Sequence, residues 1–213
     1  MPQVVDTAAK IAEFLLEINA IRLRPEDPFT WASGWKSPIY SDNRLVLSYP
    51  HIRSFIKTEL CRLTASVFPG TQAIIGVATA GIAPGALVAD AMELPFGYVR
   101  SEAKKHGMAK QVEGELQAGQ RVVVVEDLVS TGKSSLAAVD AVRASGALVD
   151  GLVCIFTYGF EAAEKNFASA SCPFFALSNY NTLIDVAASK GIITPSQVSL
   201  LGEWRKSPET WGK

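Results

Sequence analysis

The sequence predicts an α/β protein with a central, mainly parallel sheet flanked by helices, and three observations carry that expectation. Val122 to Val125 is a run of four valines, the mark of a strand buried on both faces, as parallel sheets contain. Similar short apolar runs alternate along the chain with segments of helical periodicity, the pattern of repeated β-then-α units. With 213 residues, 48% of them hydrophobic, the chain can bury one good core and reads as a single domain with an appendage.

Taken in order, Ile11, Phe14, Leu15 and Ile18 form one stripe of an amphipathic helix from about Ala8 to Ile18. A loop rich in Pro and Trp is expected from Pro25 to Tyr40, then a second helix near His51 to Val67. Pro69-Gly70 turns the chain into a short strand at Ala73 to Val77. Gly81 opens a small-residue helix through Met92, and Phe96 to Val99 reads as the next strand. Arg100 to Gly114 lacks periodicity and is rich in charge and glycine, which predicts a mobile loop. After the valine strand, Leu136, Val139 and Val142, with Ala137, Ala138 and Ala141 filling the turns, predict a helix from near Ser134 that Gly146 ends. Val149 to Thr157 and Phe174 to Leu177 complete the strands.

Composition narrows the partners. Lys and Arg number 20 against 21 Asp and Glu, and the two signs are interspersed. That argues against nucleic-acid binding and against a membrane-attracting face. Cys61, Cys154 and Cys172 are odd in number and far apart, so reduced, mostly buried thiols are expected rather than a disulfide framework or a metal site. Asp6, Glu13 and Glu17 interrupt any signal-peptide core, and no apolar run approaches the roughly 20 residues that span a bilayer. A cytoplasmic location is the expectation.

The chemistry concentrates after the valines. Glu126 and Asp127 follow at once, then Leu128 and Val129, then the small, hydroxyl-rich turn Ser130-Thr131-Gly132-Lys133-Ser134. A helix starting near Ser134 points its free amides and positive dipole end back into that turn, which attracts phosphate. Carboxylates cannot touch phosphate without repulsion, so the pair is expected to hold either a metal ion or the hydroxyls of a sugar bearing that phosphate. The plainer alternative is that both acids merely cap a βα turn. Gly132-Lys133-Ser134 also looks like the end of a nucleotide-binding P-loop, but Asp127 stands where that loop needs its first glycine.

Ala78-Thr79-Ala80-Gly81, Arg100 and Glu126-Asp127 each follow a different strand and fall at one edge of the sheet, where ligands of such sheets bind. Gly81 permits unusual backbone angles, and its small neighbours let a diphosphate approach main-chain amides; tight helix packing is the competing reading. The Arg100 to Gly114 segment brings Arg100, Lys104, Lys105, Lys110 and His106 to that edge. Such a segment is either a solvated connection or a cationic lid over a leaving diphosphate.

Arg121 to Ser135 resembles the phosphoribosyl pyrophosphate (PRPP) signature of the type I phosphoribosyltransferases. The spacing Arg100-x-x-x-Lys104-x-His106-Gly107 resembles the catalytic loop of those members that act on orotate. The run Phe29 to Arg44, with Ser33-Gly34-Trp35-Lys36-Ser37-Pro38 at its centre, resembles their hood, as does Tyr180-Asn181-Thr182-Leu183-Ile184. The resemblance implies the type I fold in one domain, with a small hood from N- and C-terminal segments, mainly residues 1–45. It implies that Glu126 and Asp127 bind the ribose hydroxyls and that Ser130, Thr131, Gly132, Lys133 and Ser134 bind the 5-phosphate, Leu128 and Val129 lying in the same PRPP-binding stretch. Ala78, Thr79, Ala80 and Gly81 would form the diphosphate loop. Arg100, Lys104 and His106 would act on the diphosphate, and Ser130 and Lys36 would meet orotate. Mg²⁺ would arrive on PRPP without a direct protein ligand, and the active form would be a homodimer with shared active sites.

The chain departs from that pattern at Ser101, Ala80 and Lys133, and no arginine stands near Tyr158-Gly159-Phe160 for the orotate carboxylate. Lys36, Arg44 or hood backbone amides are the expected substitutes. A purine phosphoribosyltransferase shares the donor signature, but the hood motif argues against it. A ligand-sensing regulator of this fold would carry a DNA-binding extension and a basic surface, and the chain has neither.

Overall fold

The computed structural model describes residues 6–31, 34–101 and 111–212. It divides into two compact units, Pro50–Leu177 and the pair of segments 1–49 and 178–213.

Helix α1 (Thr7–Glu17) begins where Asp6 accepts from the amides of Ala8 and Ala9 at 3.0 and 3.3 Å. Its buried stripe is Ile11, Ala12, Leu15 and Leu16. The segment expected to be a loop from Pro25 to Tyr40 instead contains short paired strands. Strand β1 (Ile21–Leu23) pairs antiparallel with β4 (Ile39–Ser41), and β2 (Phe29–Thr30) with β3 (Lys36–Ser37). Two- and three-residue strands are too short to show an alternation, which is why the pattern was not legible.

The second unit opens with α2 (Pro50–Val67), followed by β5 (Ala73–Val77), α3 (Ile82–Ala91), β6 (Phe96–Val99), β7 (Val112–Glu113), β8 (Arg121–Val129), α4 (Lys133–Ala144), β9 (Leu148–Thr157), α5 (Glu161–Ser169) and β10 (Phe174–Asn179). The sheet order is β10-β9-β8-β5-β6-β7, with β5/β6, β5/β8 and β8/β9 parallel and β7 antiparallel at the edge. Strand β7 falls inside the segment expected to be loop, so the chain returns to the sheet at Gln111 rather than after Gly114: the Arg100 amide donates to the Gln111 carbonyl at 2.9 Å, next to the Val99–Val112 pair.

The valine run explains the layering. Val122, Val123, Val124 and Val125 are fully buried, and alternate residues of a strand face opposite sides. Val122 and Val124 pack with Ala138, Val139 and Val142 of α4 and Phe167 of α5. Val123 and Val125 therefore face the other side, and α3 contacts β5 and β8. Cys154 and Cys172 are buried and all three cysteines are free thiols.

After β10 come α6 (Tyr180–Ser189) and α7 (Pro195–Lys206). Asn179 caps α6 by accepting from the Thr182 amide at 3.1 Å, and α6 packs on α1. In α7, Thr194 and Gln197 form a capping box with Pro195 at the start. Its Trp204 is fully buried and donates its indole N–H to the Lys36 carbonyl at 3.1 Å, while its ring meets Trp31 edge-on at 5.7 Å. Among the described residues no helix is long and apolar enough to cross a membrane.

Candidate active site

Strand order decides where a ligand fits. From β5 the chain passes through α3 to β6 on one side, and later returns through β8 on the other side of β5. The connections diverge between β5 and β8, and the space beyond their carboxyl ends is the topological switch point, where open α/β sheets bind ligands. A cleft of about 470 Å³ lies there, lined by Val77 at the end of β5, by Ala78, Thr79 and Ala80 after it, and by Glu126, Asp127, Leu128 and Ser130 to Ser134 along and after β8.

The acid pair does not follow the strand, as its charge suggested, but belongs to it. Strand β8 runs on to Val129, and Glu126 stands opposite Cys154 of β9. Glu126 is 6% exposed. Its Oε1 accepts from the Asp127 amide at 3.0 Å and its Oε2 from Ser135 Oγ at 3.4 Å. Burial, and then the neighbouring Asp127 carboxylate, push its pKa up to about 9. The group therefore holds a proton at neutral pH and can both donate to and accept from a hydroxyl. Burial, then Glu126 and Asp127, also raise the Cys154 thiol well above its usual range, leaving it an inert thiol. Among the described residues no group of three or more His, Cys, Asp or Glu is arranged to hold a metal. The pair suits a sugar diol, or a cation whose other ligands come from the substrate.

The turn after β8 leads into α4, which starts at Lys133, one residue before the expected Ser134. Gly132 has φ +80°, a left-handed conformation that favours glycine. The ring of Phe167 also lies where a side chain at 132 would be, 2.7 Å from an ideal Cβ. The Asn166 side-chain amide donates to the Thr131 carbonyl at 2.9 Å, tying the turn to α5. The first-turn amides of α4 have no partner within the helix and sit at its positive end.

On the β5 side the four expected residues divide. The Ala78 amide donates to Val99 and the Gly81 amide to Val77, which leaves Thr79 and Ala80 of the four to turn amides toward an anion. The Ala78–Thr79 peptide is cis. Gly81 is buried and does not line the cleft. Its φ of −78° is ordinary, which corrects the reading that it supplies an unusual backbone angle. Glycine is needed there because a Cβ would come within 2.5 Å of the Val125 carbonyl and 2.7 Å of the Val77 carbonyl.

Val129 is fully buried and turned into the core, while its carbonyl accepts from Thr157 Oγ1 at 3.1 Å. Arg100 follows β6 directly and does not line the cleft; its guanidinium pairs with Glu113 at 3.3 Å. Lys104 and His106 lie outside the described residues. Lys36 belongs to the other unit, where its Nζ donates to Thr30 Oγ1 at 3.0 Å across the β2–β3 pair. Arg44 pairs with Asp42 at 2.6 Å and holds that carboxyl below its ordinary range. Ser135 closes the Arg121 to Ser135 signature but carries no expected role, and Asn166 lies outside every expected motif. Asn166 has no local signal because its partner is distant in the chain.

A switch-point cleft with an acid pair on one wall, its Glu126 buried, and a helix-start turn beside it defines a phosphosugar-binding α/β protein. Residues 63–180, which contain the whole cleft, match the phosphoribosyl transferase domain family. Over 202 residues the chain is 55% identical to the orotate phosphoribosyltransferase of Porphyromonas gingivalis, covering 95% of this chain and 96% of that one. It is 52% identical to the same enzyme of Bacillus anthracis, covering 95% and 97%. Among solved structures, orotate phosphoribosyltransferase from Aeropyrum pernix superposes with a TM-score of 0.76 at 29% identity, covering 86% of this chain and 99% of that one. UMP synthase of Leishmania donovani gives 0.78 at 27%, covering 92% of this chain and 42% of that longer one. The chain belongs to the orotate phosphoribosyltransferases, within the phosphoribosyl transferase family.

Proposed function

We propose that this protein transfers the 5-phosphoribosyl group from PRPP to orotate, giving orotidine 5′-phosphate and diphosphate in UMP synthesis. The observation that carries the reading is that one cleft holds the buried Glu126, its half-buried neighbour Asp127 and the Ser130 to Ser134 turn. Relatives that match the chain end to end carry the orotate name.

In this reading Glu126 and Asp127 hold the ribose hydroxyls and the Ser130 to Ser134 turn holds the 5-phosphate, with Ser130 also facing orotate. Thr79 and Ala80 offer amides to the diphosphate. The bond from ribose C1 to the diphosphate oxygen breaks as C1 bonds to orotate nitrogen, the proton of that nitrogen passing to the departing diphosphate, and C1 gains oxocarbenium character on the way. Catalysis is then largely the placing of positive charge where the leaving diphosphate gains negative charge. Arg100, Lys104 and His106 supply that charge, with Arg100 exchanging its Glu113 partner for the diphosphate. Mg²⁺ would arrive on PRPP without a direct protein ligand and would supply further positive charge to the diphosphate. Lys36 contacts orotate from the hood. The active form is a homodimer with shared active sites, and the protein acts in the cytoplasm.

Incubating the protein with PRPP, Mg²⁺ and orotate, with hypoxanthine and adenine as competitors, tests the reading. Loss of orotate absorbance with formation of orotidine 5′-phosphate is expected; a purine nucleotide product, or binding without turnover, overturns it.

A further inference from the structure

The turn that carries the phosphate-facing amides is held by a residue outside the cleft. Gly132 has φ +80° and ψ −1°, a left-handed backbone that favours glycine. Rotation about the bonds on either side of the peptide joining Thr131 to Gly132 would flip that peptide and exchange the directions of its carbonyl and its N–H. That peptide is trans, so its carbonyl and its N–H point in opposite directions. Asn166 Nδ2 donates to the Thr131 carbonyl at 2.9 Å and draws it toward α5. The Gly132 N–H is thereby turned away from α5, and Gly132 lines the cleft. The next residue of α5, Phe167, is 2% exposed and packs where a Gly132 side chain would be. Two successive residues of one helix therefore hold one turn.

We propose that Asn166 is a positioning residue for the donor's 5-phosphate: by anchoring the Thr131 carbonyl it keeps the Gly132 N–H directed into the cleft. A flipped peptide presents a carbonyl oxygen to the phosphate instead of a donor, exchanging attraction for repulsion. The inference rests on the reading of the turn as the phosphate site. It predicts an effect confined to ligands that carry this phosphate.

Asn166→Ala removes the hydrogen bond, and Asn166→Asp puts a charged acceptor against the Thr131 carbonyl, which favours the flip. Asn166 is half-buried on a helix, and alanine is a strong helix former, so the fold tolerates the change. The expected result is a graded rise in KM for PRPP, about fivefold for alanine and about tenfold or more for aspartate. Calorimetric dissociation constants for ribose 5-phosphate are expected to rise in the same order, while KM for orotate stays within about twofold. A merely structural role moves both substrates together and does not rank aspartate below alanine. Unchanged ribose 5-phosphate binding in both variants, or equal losses for PRPP and orotate, overturns the proposal. If the unaltered protein makes no orotidine 5′-phosphate, the reading of its reaction fails, while the ribose 5-phosphate comparison still decides the role of Asn166.

Discussion

Replacing Glu126 with glutamine tests whether the cleft holds a buried proton. The carboxyl is 6% exposed, and burial followed by the Asp127 charge moves its pKa from 4.5 up to about 9. Between those values the folded protein retains a proton that the unfolded chain has released. The contribution to stability is complete below the unfolded pKa and is lost as pH rises toward the folded one, at about 1.4 kcal/mol per pH unit for one proton. Glutamine has no such proton, and its amide keeps the size of the side chain and an acceptor for the Asp127 amide. Relative to Glu126→Gln, the native protein should lose up to about 4 kcal/mol between about pH 5 and about pH 8. Urea unfolding of ligand-free protein at several pH values measures this. Far-UV circular dichroism is the suitable probe, because Trp31, Trp35, Trp204 and Trp211 all lie outside the unit that carries Glu126. Ligand is omitted because binding to the folded state adds its own stabilisation. Parallel pH profiles for the two proteins would refute the buried proton.

Three further substitutions probe other parts of the site. Gly132→Ala forces an L-residue to φ +80° and sets a methyl 2.7 Å from the Phe167 ring; the left-handed backbone alone costs about 1 kcal/mol, and PRPP KM should rise more than kcat falls, so an unchanged KM counts against the turn as phosphate site. Gly81→Ala meets the Val125 and Val77 carbonyls at 2.5 and 2.7 Å, backbone atoms of paired strands that cannot swing aside. A loss of about 3 kcal/mol or more is expected in thermal or urea unfolding, and a native-like midpoint would contradict the close-approach argument. Lys104→Ala should lower turnover about 100-fold or more with modest change in PRPP binding, and near-normal turnover removes Lys104 from the chemistry.

The sheet was legible because parallel strands are buried on both faces and so lose the alternation that hides a strand among polar residues. Ala73–Val77 and the four valines read directly as strands for that reason. The same rule obscured the end of β8, since two acids after four valines look like the start of a loop. What carries the strand onward is non-local: β9 offers partners as far as Thr157, opposite Val129. Helix α7 left only a faint apolar stripe, with Leu201 and Trp204 as its buried residues, yet Thr194-Pro195 with Gln197 had written its start in capping residues. Of the site, the acid pair and the turn could be read because they are contiguous. The brace from Asn166 to Thr131 spans 35 residues and could not. Gly81 was singled out for the wrong reason, because a sequence shows that a glycine is present but not whether its backbone angle or its neighbours require it.

An acid pair beside a phosphate site is electrostatically unfavourable unless one charge is suppressed. Burial of Glu126 does this, since a carboxyl that keeps its proton presents a dipole rather than a charge to an incoming polyanion. A mobile loop could not maintain that state, because a carboxyl free to swing into water would ionise. Strand β8 is paired on both sides, Val125 with Gly76 of β5 and Glu126 with Cys154 of β9, so Glu126 has no such freedom. Extension of the strand through the acids is therefore part of the chemistry. It keeps one carboxyl dry and neutral at the cleft wall, where it can donate to or accept from a sugar hydroxyl, while the α4 turn a few residues on supplies the positive end that the phosphate needs.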